Sequence, residues 1–166
     1  MGNRLESLRN EIDKLIDKNQ PKESRYFVSH LYGVSQFCVL LAVRRGLNTE
    51  LAAACGMLHD IYQITAGERE KHAKKGAEQA GRILKKIEAY SDQEIAIITA
   101  AISRHSKKHI VHEPYDEVLK DADVLEHCLY NPDFPVSEKE MARFNNLLEE
   151  FSCSTRGLIS AIQSCY

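Results

Sequence analysis

The stretch Leu51-Ala52-Ala53-Ala54-Cys55-Gly56-Met57-Leu58-His59-Asp60 decides how the chain is read. Leu51 to Leu58 is the longest unbroken apolar run in the sequence, and it closes on two side chains able to bind protons and metals. Its small residues Ala52, Ala53, Ala54 and Gly56 would let neighbouring helices approach closely, which predicts a central helix. Thr49 is the expected N-cap and His59 the expected end. The run falls far short of a membrane span.

Outward from this segment the periodicity is helical in both directions, with no strand alternation. Upstream, Leu5, Leu8, Ile12, Leu15 and Ile16 form an amphipathic stripe that Asn19-Gln20-Pro21 ends. A second helix is predicted from about Ser24 to Arg45, with Val34, Cys38, Leu41 and Ala42 inward and Gly46 as its stop. Downstream, Gln63 to Gly67 reads as a short connector before a long helix from roughly Glu68 to Ala89. Ser91-Asp92-Gln93-Glu94 has the form of a capping box and opens a helix with Ile95, Ile98 and Ile102 on one face. Lys107 to Glu113 reads as a polar loop, and Pro114 suits the first position of a helix carrying Val118, Leu119, Ala122, Leu125 and Leu129. Beyond a turn at Asn131 to Pro135, Ser137-Glu138-Lys139-Glu140 repeats the capping-box pattern. Met141, Phe144, Leu148 and Phe151 follow on one helix, and Leu158, Ile159 and Ile162 on a short last one. The expectation is an all-α, single-domain helical bundle of about seven to eight helices over residues 1–166. Its motif-bearing core spans about 25–130, with the N-terminal helix and the C-terminal helices packed on it.

Composition narrows the function. With 166 residues, 43% hydrophobic and 28% charged, the chain sits at globular averages and wholesale disorder is excluded. Twenty-two basic against 24 acidic side chains leave a formal charge of −2, which argues against a long nucleic acid as partner. The five cysteines include no C-x-x-C pair, so neither a disulfide framework nor a zinc ribbon follows. The first residues, MGNRLESLRN, lack the apolar stretch of a signal peptide and miss the myristoylation pattern, since Glu6 stands where a serine or threonine is needed. A soluble, reduced, cytoplasmic protein without a membrane partner is expected. No exposed heptad or edge signals an oligomer, and a homodimer stays open.

Seven histidines are the unusual count. His30 lies on the stripe His30-Val34-Phe37-Leu41, and His105 ends the stripe Ile95-Ile98-Ile102-His105, one helical face. His72 heads the series His72-Gly76-Ala80-Ile83-Ile87, and His59 follows Leu51, Cys55 and Leu58. Each alone would more often be a hydrogen-bonded core or boundary residue than a metal ligand. Several imidazoles facing one interior each need a partner, however, and a divalent metal satisfies them together. Neighbours on a helix diverge by about 100°, yet at a helix end the turn relaxes, which would let His59 and Asp60 converge. In Lys120-Asp121-Ala122-Asp123-Val124-Leu125-Glu126 the two aspartates project roughly 200° apart, so one is expected in and one out. Asp123, which shares its face with Leu119 and Glu126, is the expected inward one, and Asp121 the outward one.

The ordered set His30, His59-Asp60 and Asp123 resembles the HD-domain superfamily of metal-dependent phosphohydrolases, whose signature is H…HD…D on a bundle of helices. His72-Ala73-Lys74-Lys75-Gly76-Ala77 and Arg104-His105-Ser106 resemble segments of its dinuclear branch. The resemblance implies one metal on His30, His59, Asp60 and Asp123, and a second on His72 and His105 with Asp60 as bridge and catalytic centre. One or two divalent ions are implied, with manganese, iron, cobalt, nickel and zinc all compatible with the donor set. The substrate implied is a small phosphorylated metabolite such as a nucleotide, cleaved by metal-activated water. Two departures disfavour a cyclic dinucleotide. Gln63 stands where many relatives carry a phosphate-contacting lysine, and Ser106 where the phosphodiesterases often carry a second histidine.

Arg104 and Lys107, nearest a candidate ligand, are the expected substrate-phosphate contacts; Lys74, Lys75 and Lys108 are further rim cations or an ordinary solvated face. His109 and His112 are read as exposed loop residues or proton shuttles. His127, one turn after Asp123, is a supporting partner for a ligand or a boundary residue. Two other functions stay open: a di-iron HD-fold oxygenase, which would take up oxygen with its substrate, and a non-catalytic nucleotide- or metal-binding regulatory module, which would bind without turnover.

Overall fold

Asn48, not Thr49, starts the central helix. Its side-chain carbonyl accepts hydrogen bonds from the backbone N–H groups of Glu50 and Leu51, at 2.9 and 3.1 Å. In a computed structural model of the chain, describing residues 3–19, 24–68 and 70–151, that helix runs Thr49–Leu58 and is labelled α3. It follows α1 (Arg4–Asn19) and α2 (Ser24–Arg45), and precedes α4 (Ile61–Ala66) and α5 (His72–Ile87). Then come α6 (Asp92–Arg104), α7 (Pro114–Tyr130) and α8 (Glu138–Glu150). Among the described residues every regular element is a helix, so the all-α expectation holds.

Every residue of α3 from Leu51 to Leu58 is buried, and α1, α2, α5, α6 and α7 all pack against it. Its small side chains make that possible. A Cβ on Gly56 would lie 2.5 Å from Ser35 Cα and 2.7 Å from Ser35 N, both backbone atoms of α2. The Ser35 hydroxyl donates to the Ala53 carbonyl across the same contact, at 3.1 Å. Around this seam the core is filled by Leu8 and Ile12 of α1, Leu31, Val34 and Leu41 of α2, and Ile98 and Ile102 of α6. Helix α2 is long and apolar enough, by length and composition alone, to cross a membrane. Its apolar residues form no long unbroken run, since Ser35 and Gln36 stand among them. Its apolar residues Leu31, Val34, Cys38, Leu41 and Ala42 are buried in the core.

Several expectations are corrected. The predicted connector Gln63 to Gly67 belongs mostly to α4, a short helix ended by Gly67 in the left-handed conformation with φ 67°. Helix α5 begins only at His72, because Lys71 takes up positive φ. The capping box at Ser91 forms in both directions, Ser91 Oγ accepting from Glu94 N and the Glu94 carboxylate accepting from Ser91 N. At Ser137 it does not: the hydroxyl donates to the Glu140 carboxylate at 2.9 Å and caps no backbone N–H. The predicted last helix at Leu158, Ile159 and Ile162 lies outside the described residues, as do Gln20-Pro21, Cys153 and Cys165.

Asp121 is the largest correction. It is buried rather than outward-facing. It sits between Arg45, at 2.7 Å, and Arg143, at 2.5 Å. Helix α8 covers that side of α7, so every residue from Val118 to Glu126 is buried and α7 has no solvent face there. Lys120 is fully buried, and its three donors reach the Ile110 carbonyl, the His112 Nδ1 and the Glu117 carboxylate, at 2.8, 2.7 and 2.6 Å. That ammonium fastens the α6–α7 loop to α7, with all its hydrogen-bonding capacity used.

Candidate metal centre

His59 and Asp60 converge because they form the turn between the end of α3 at Leu58 and the start of α4 at Ile61. His59 is the C-cap, and Asp60, at φ −111° and ψ 17°, belongs to neither α3 nor α4. The His59 Nδ1–H donates to the Gly56 carbonyl at 2.7 Å, an orphan of the last turn. His105 repeats the arrangement at the end of α6, donating from Nδ1 to the Ile102 carbonyl at 2.7 Å. On α2, His30 Nδ1–H donates to Glu126 of α7 at 2.6 Å. Gly33 makes room for that carboxylate, since a Cβ there would stand 3.0 Å from Glu126 Cγ.

Each of these three rings therefore carries its proton on Nδ1, because its partner there is an oxygen that only accepts. Their Nε2 lone pairs all point inward. His30 Nε2 lies 3.0 Å from His59 Nε2, and His72 Nε2, from the start of α5, lies 3.2 Å from His105 Nε2. Asp60 stands between the two pairs. Its Oδ2 is 3.8 and 3.7 Å from the Nε2 atoms of His30 and His59, and its Oδ1 is 3.6 Å from those of His72 and His105. Asp123 Oδ1 closes the first pair at 3.6 and 3.9 Å. All six expected ligand side chains thus meet at one place.

The electrostatics suit cations. Burial pushes the His59 imidazole down to about 4, and burial also holds His105 below its ordinary value, so both are neutral at neutral pH. Burial opposes ionisation of Asp60 and Asp123, yet the facing imidazoles, and for Asp123 first of all Lys108, keep both carboxyls below their ordinary range. Two Nε2 lone pairs 3.0 Å apart repel each other unless something positive lies between them. Asp60 Oδ1 is buried with no hydrogen-bond partner among the described residues. Such an atom is costly unless a cation takes it up. The sets His30–His59–Asp60 and Asp60–His72–His105 each bring their ligand atoms close enough to hold one metal ion. The donor set fits a borderline divalent cation.

The cluster forms the floor of a cavity of about 740 Å³. Tyr26 and Phe27 of α2 line one side; Ser106, Lys108 and His109 of the α6–α7 loop, and Ser137, Lys139 and Glu140 at the start of α8, line others. Gln63 also lines it. Arg104 and Lys107, the expected phosphate contacts, are not among its lining residues. Arg104 reaches the buried Asp116 at 3.5 Å, and Lys107 is exposed. Lys75 is turned to Tyr62 and Glu68, at 2.8 and 2.9 Å. His112 is taken by Lys120, whereas His109 lines the cavity. His127 stacks on His30 with ring centroids 5.2 Å apart, donates from Nδ1 to the Glu140 carboxylate at 3.1 Å, and lies 3.5 Å from Asp123. Sequence reasoning missed the roles of Glu126 and Glu140. Glu126 shares Asp123's helical face, a usable signal, while nothing local marks Glu140.

Among the described residues the fold is all-helical, and it sets a histidine pair on either side of one aspartate, with donors that could hold a metal. The HD domain family model matches residues 27–127, and the chain belongs to the HD domain family. A crystal structure of a predicted HD superfamily hydrolase from an uncultured Thermotogales bacterium has the same fold, with a TM-score of 0.60 and 21% sequence identity. The similarity covers 86% of this chain and 88% of that one. No curated protein matches the chain.

Proposed function

We propose that the protein is a metal-dependent phosphohydrolase that cleaves a phosphoester or phosphoanhydride of a small phosphorylated metabolite, a nucleotide being the first candidate. The observation that carries this is Asp60 standing between two histidine pairs, with one carboxylate oxygen toward each. In this reading His30, His59, Asp60 and Asp123 hold one divalent ion, and His72, His105 and Asp60 a second. Ions held there would lower the pKa of water towards neutrality and neutralise phosphate oxygens as charge builds. The chain's own contribution is orientation. Glu126 and the Gly56 and Ile102 carbonyls fix the orientation of the His30, His59 and His105 rings, so that these three present Nε2 without rotating. The cavity volume of about 740 Å³ admits a nucleotide-sized molecule.

The same reading takes residues 1–166 as one HD-type domain working in the cytoplasm. The relative's description as a predicted HD superfamily hydrolase supports the reaction class. The test is a hydrolysis screen of nucleotides and simple phosphate esters after loading with manganese, cobalt, nickel, zinc or iron. Phosphate release that a chelator abolishes and metal restores is expected. Oxygen consumption by the iron form without phosphate release, or stoichiometric metal without turnover of any ester, would overturn the reading.

A further inference from the structure

Lys108 is the one lysine of the cation cluster around His105 that turns into the cavity. Its ammonium lies 2.9 Å from Asp123 Oδ2 and 2.7 Å from Glu140 Oε1. A lysine has three donors, and these two carboxylates are its partners among the described residues. The side chain is largely shielded, at 17% exposure, so its charge acts through little intervening water. Its backbone is held as well, the Lys108 carbonyl accepting from Arg143 of α8 at 2.8 Å. Gln63 stands three residues after Asp60 and lines the same space with no charge.

We propose that Lys108 is the side chain that binds the substrate's phosphate, and that Glu140 of α8 is the positioning residue that holds its ammonium beside Asp123. The inference rests on the phosphohydrolase reading and deepens it. With Asp123 engaged through Oδ1 on the histidine side, the ammonium compensates Oδ2 and offers its remaining N–H to an anion lying over the cluster. A cation from the α6–α7 loop thus does what a lysine at position 63 would do from α4. Glu140 lies beyond residue 127, where the family match ends, so this clamp uses a part of the chain outside the matched span.

The experiment measures inorganic phosphate binding to the manganese-loaded protein by calorimetry, alongside manganese stoichiometry. Lys108→Met is expected to weaken phosphate binding about tenfold or more, the loss of a charge-assisted hydrogen bond, with unchanged stoichiometry. Gln63→Lys added to Lys108→Met is expected to recover most of that loss, and Glu140→Gln to weaken phosphate by a smaller factor. Equal phosphate affinity in wild type and Lys108→Met would overturn the inference while leaving the phosphohydrolase reading standing. Loss of bound manganese in Lys108→Met would also overturn it, since the lysine would then serve the ligands rather than the substrate. A wild-type protein that binds neither phosphate nor any phosphate ester would overturn both readings.

Discussion

Glu126, outside the proposed ligand set, sets the geometry of His30, which is inside it. By accepting from His30 Nδ1 at 2.6 Å, it fixes which nitrogen faces Asp60. Replacing it with glutamine weakens an ionic acceptor and permits an amide flip, so Glu126→Gln should lower affinity at the His30 side of the centre about 10- to 100-fold. Competitive titration with a chromophoric chelator reads this, and unchanged affinity would place the control elsewhere. At this scale the sequence was most informative where a side chain belongs to a helical face. His30 and His105 follow from apolar spacing, and Asp123 from the face it shares with Leu119. Lys108 and Arg104 were not separable by spacing, because the directions of loop and helix-end side chains depend on a turn that periodicity does not describe. Asp121 was misplaced for another reason: its two arginine partners are 76 and 22 residues away.

The helices owe their arrangement to small residues at close approaches. Gly56 is the sharpest case, since an added methyl would meet backbone rather than a movable side chain. Gly56→Ala should therefore destabilise the protein by about 2 kcal/mol or more, as overpacking does, and lower the midpoint of thermal unfolding by several degrees. A midpoint within about one degree of wild type would mean that α2 and α3 separate easily. The alanine-rich composition of α3 made its central place legible. Helix α4 escaped because its six residues are too few to display a period. The cap at Asn48 escaped because Thr49, also a favoured capping residue, stands beside it.

For the whole molecule, near-zero net charge conceals a concentrated site. Metal-free protein should be acid-sensitive because of it. The His59 imidazole lies near 4 in the folded protein against an ordinary 6.5, so between these values the unfolded chain binds the extra proton. Stability then rises with pH across that interval and is lost as pH falls from about 6.5 towards 4, by an amount on the order of 3 kcal/mol from this group. Thermal unfolding in the presence of chelator between those pH values reads the effect, and a flat or inverted profile would contradict it. The family match covers residues 27–127, yet α8, beyond it, buries Asp121 and completes the cavity wall. That role was invisible in a segment without a motif, since Arg143 and Glu140 act only through residues distant in sequence.

The central claim is that Asp60 joins two metal positions. Metal analysis of protein purified without added metal, wild type beside Asp60→Ala, tests it most directly. The account predicts up to two divalent ions per wild-type chain and a loss of bound metal and phosphate release together in Asp60→Ala, with helical content retained. Unchanged metal content and hydrolysis in Asp60→Ala would contradict it.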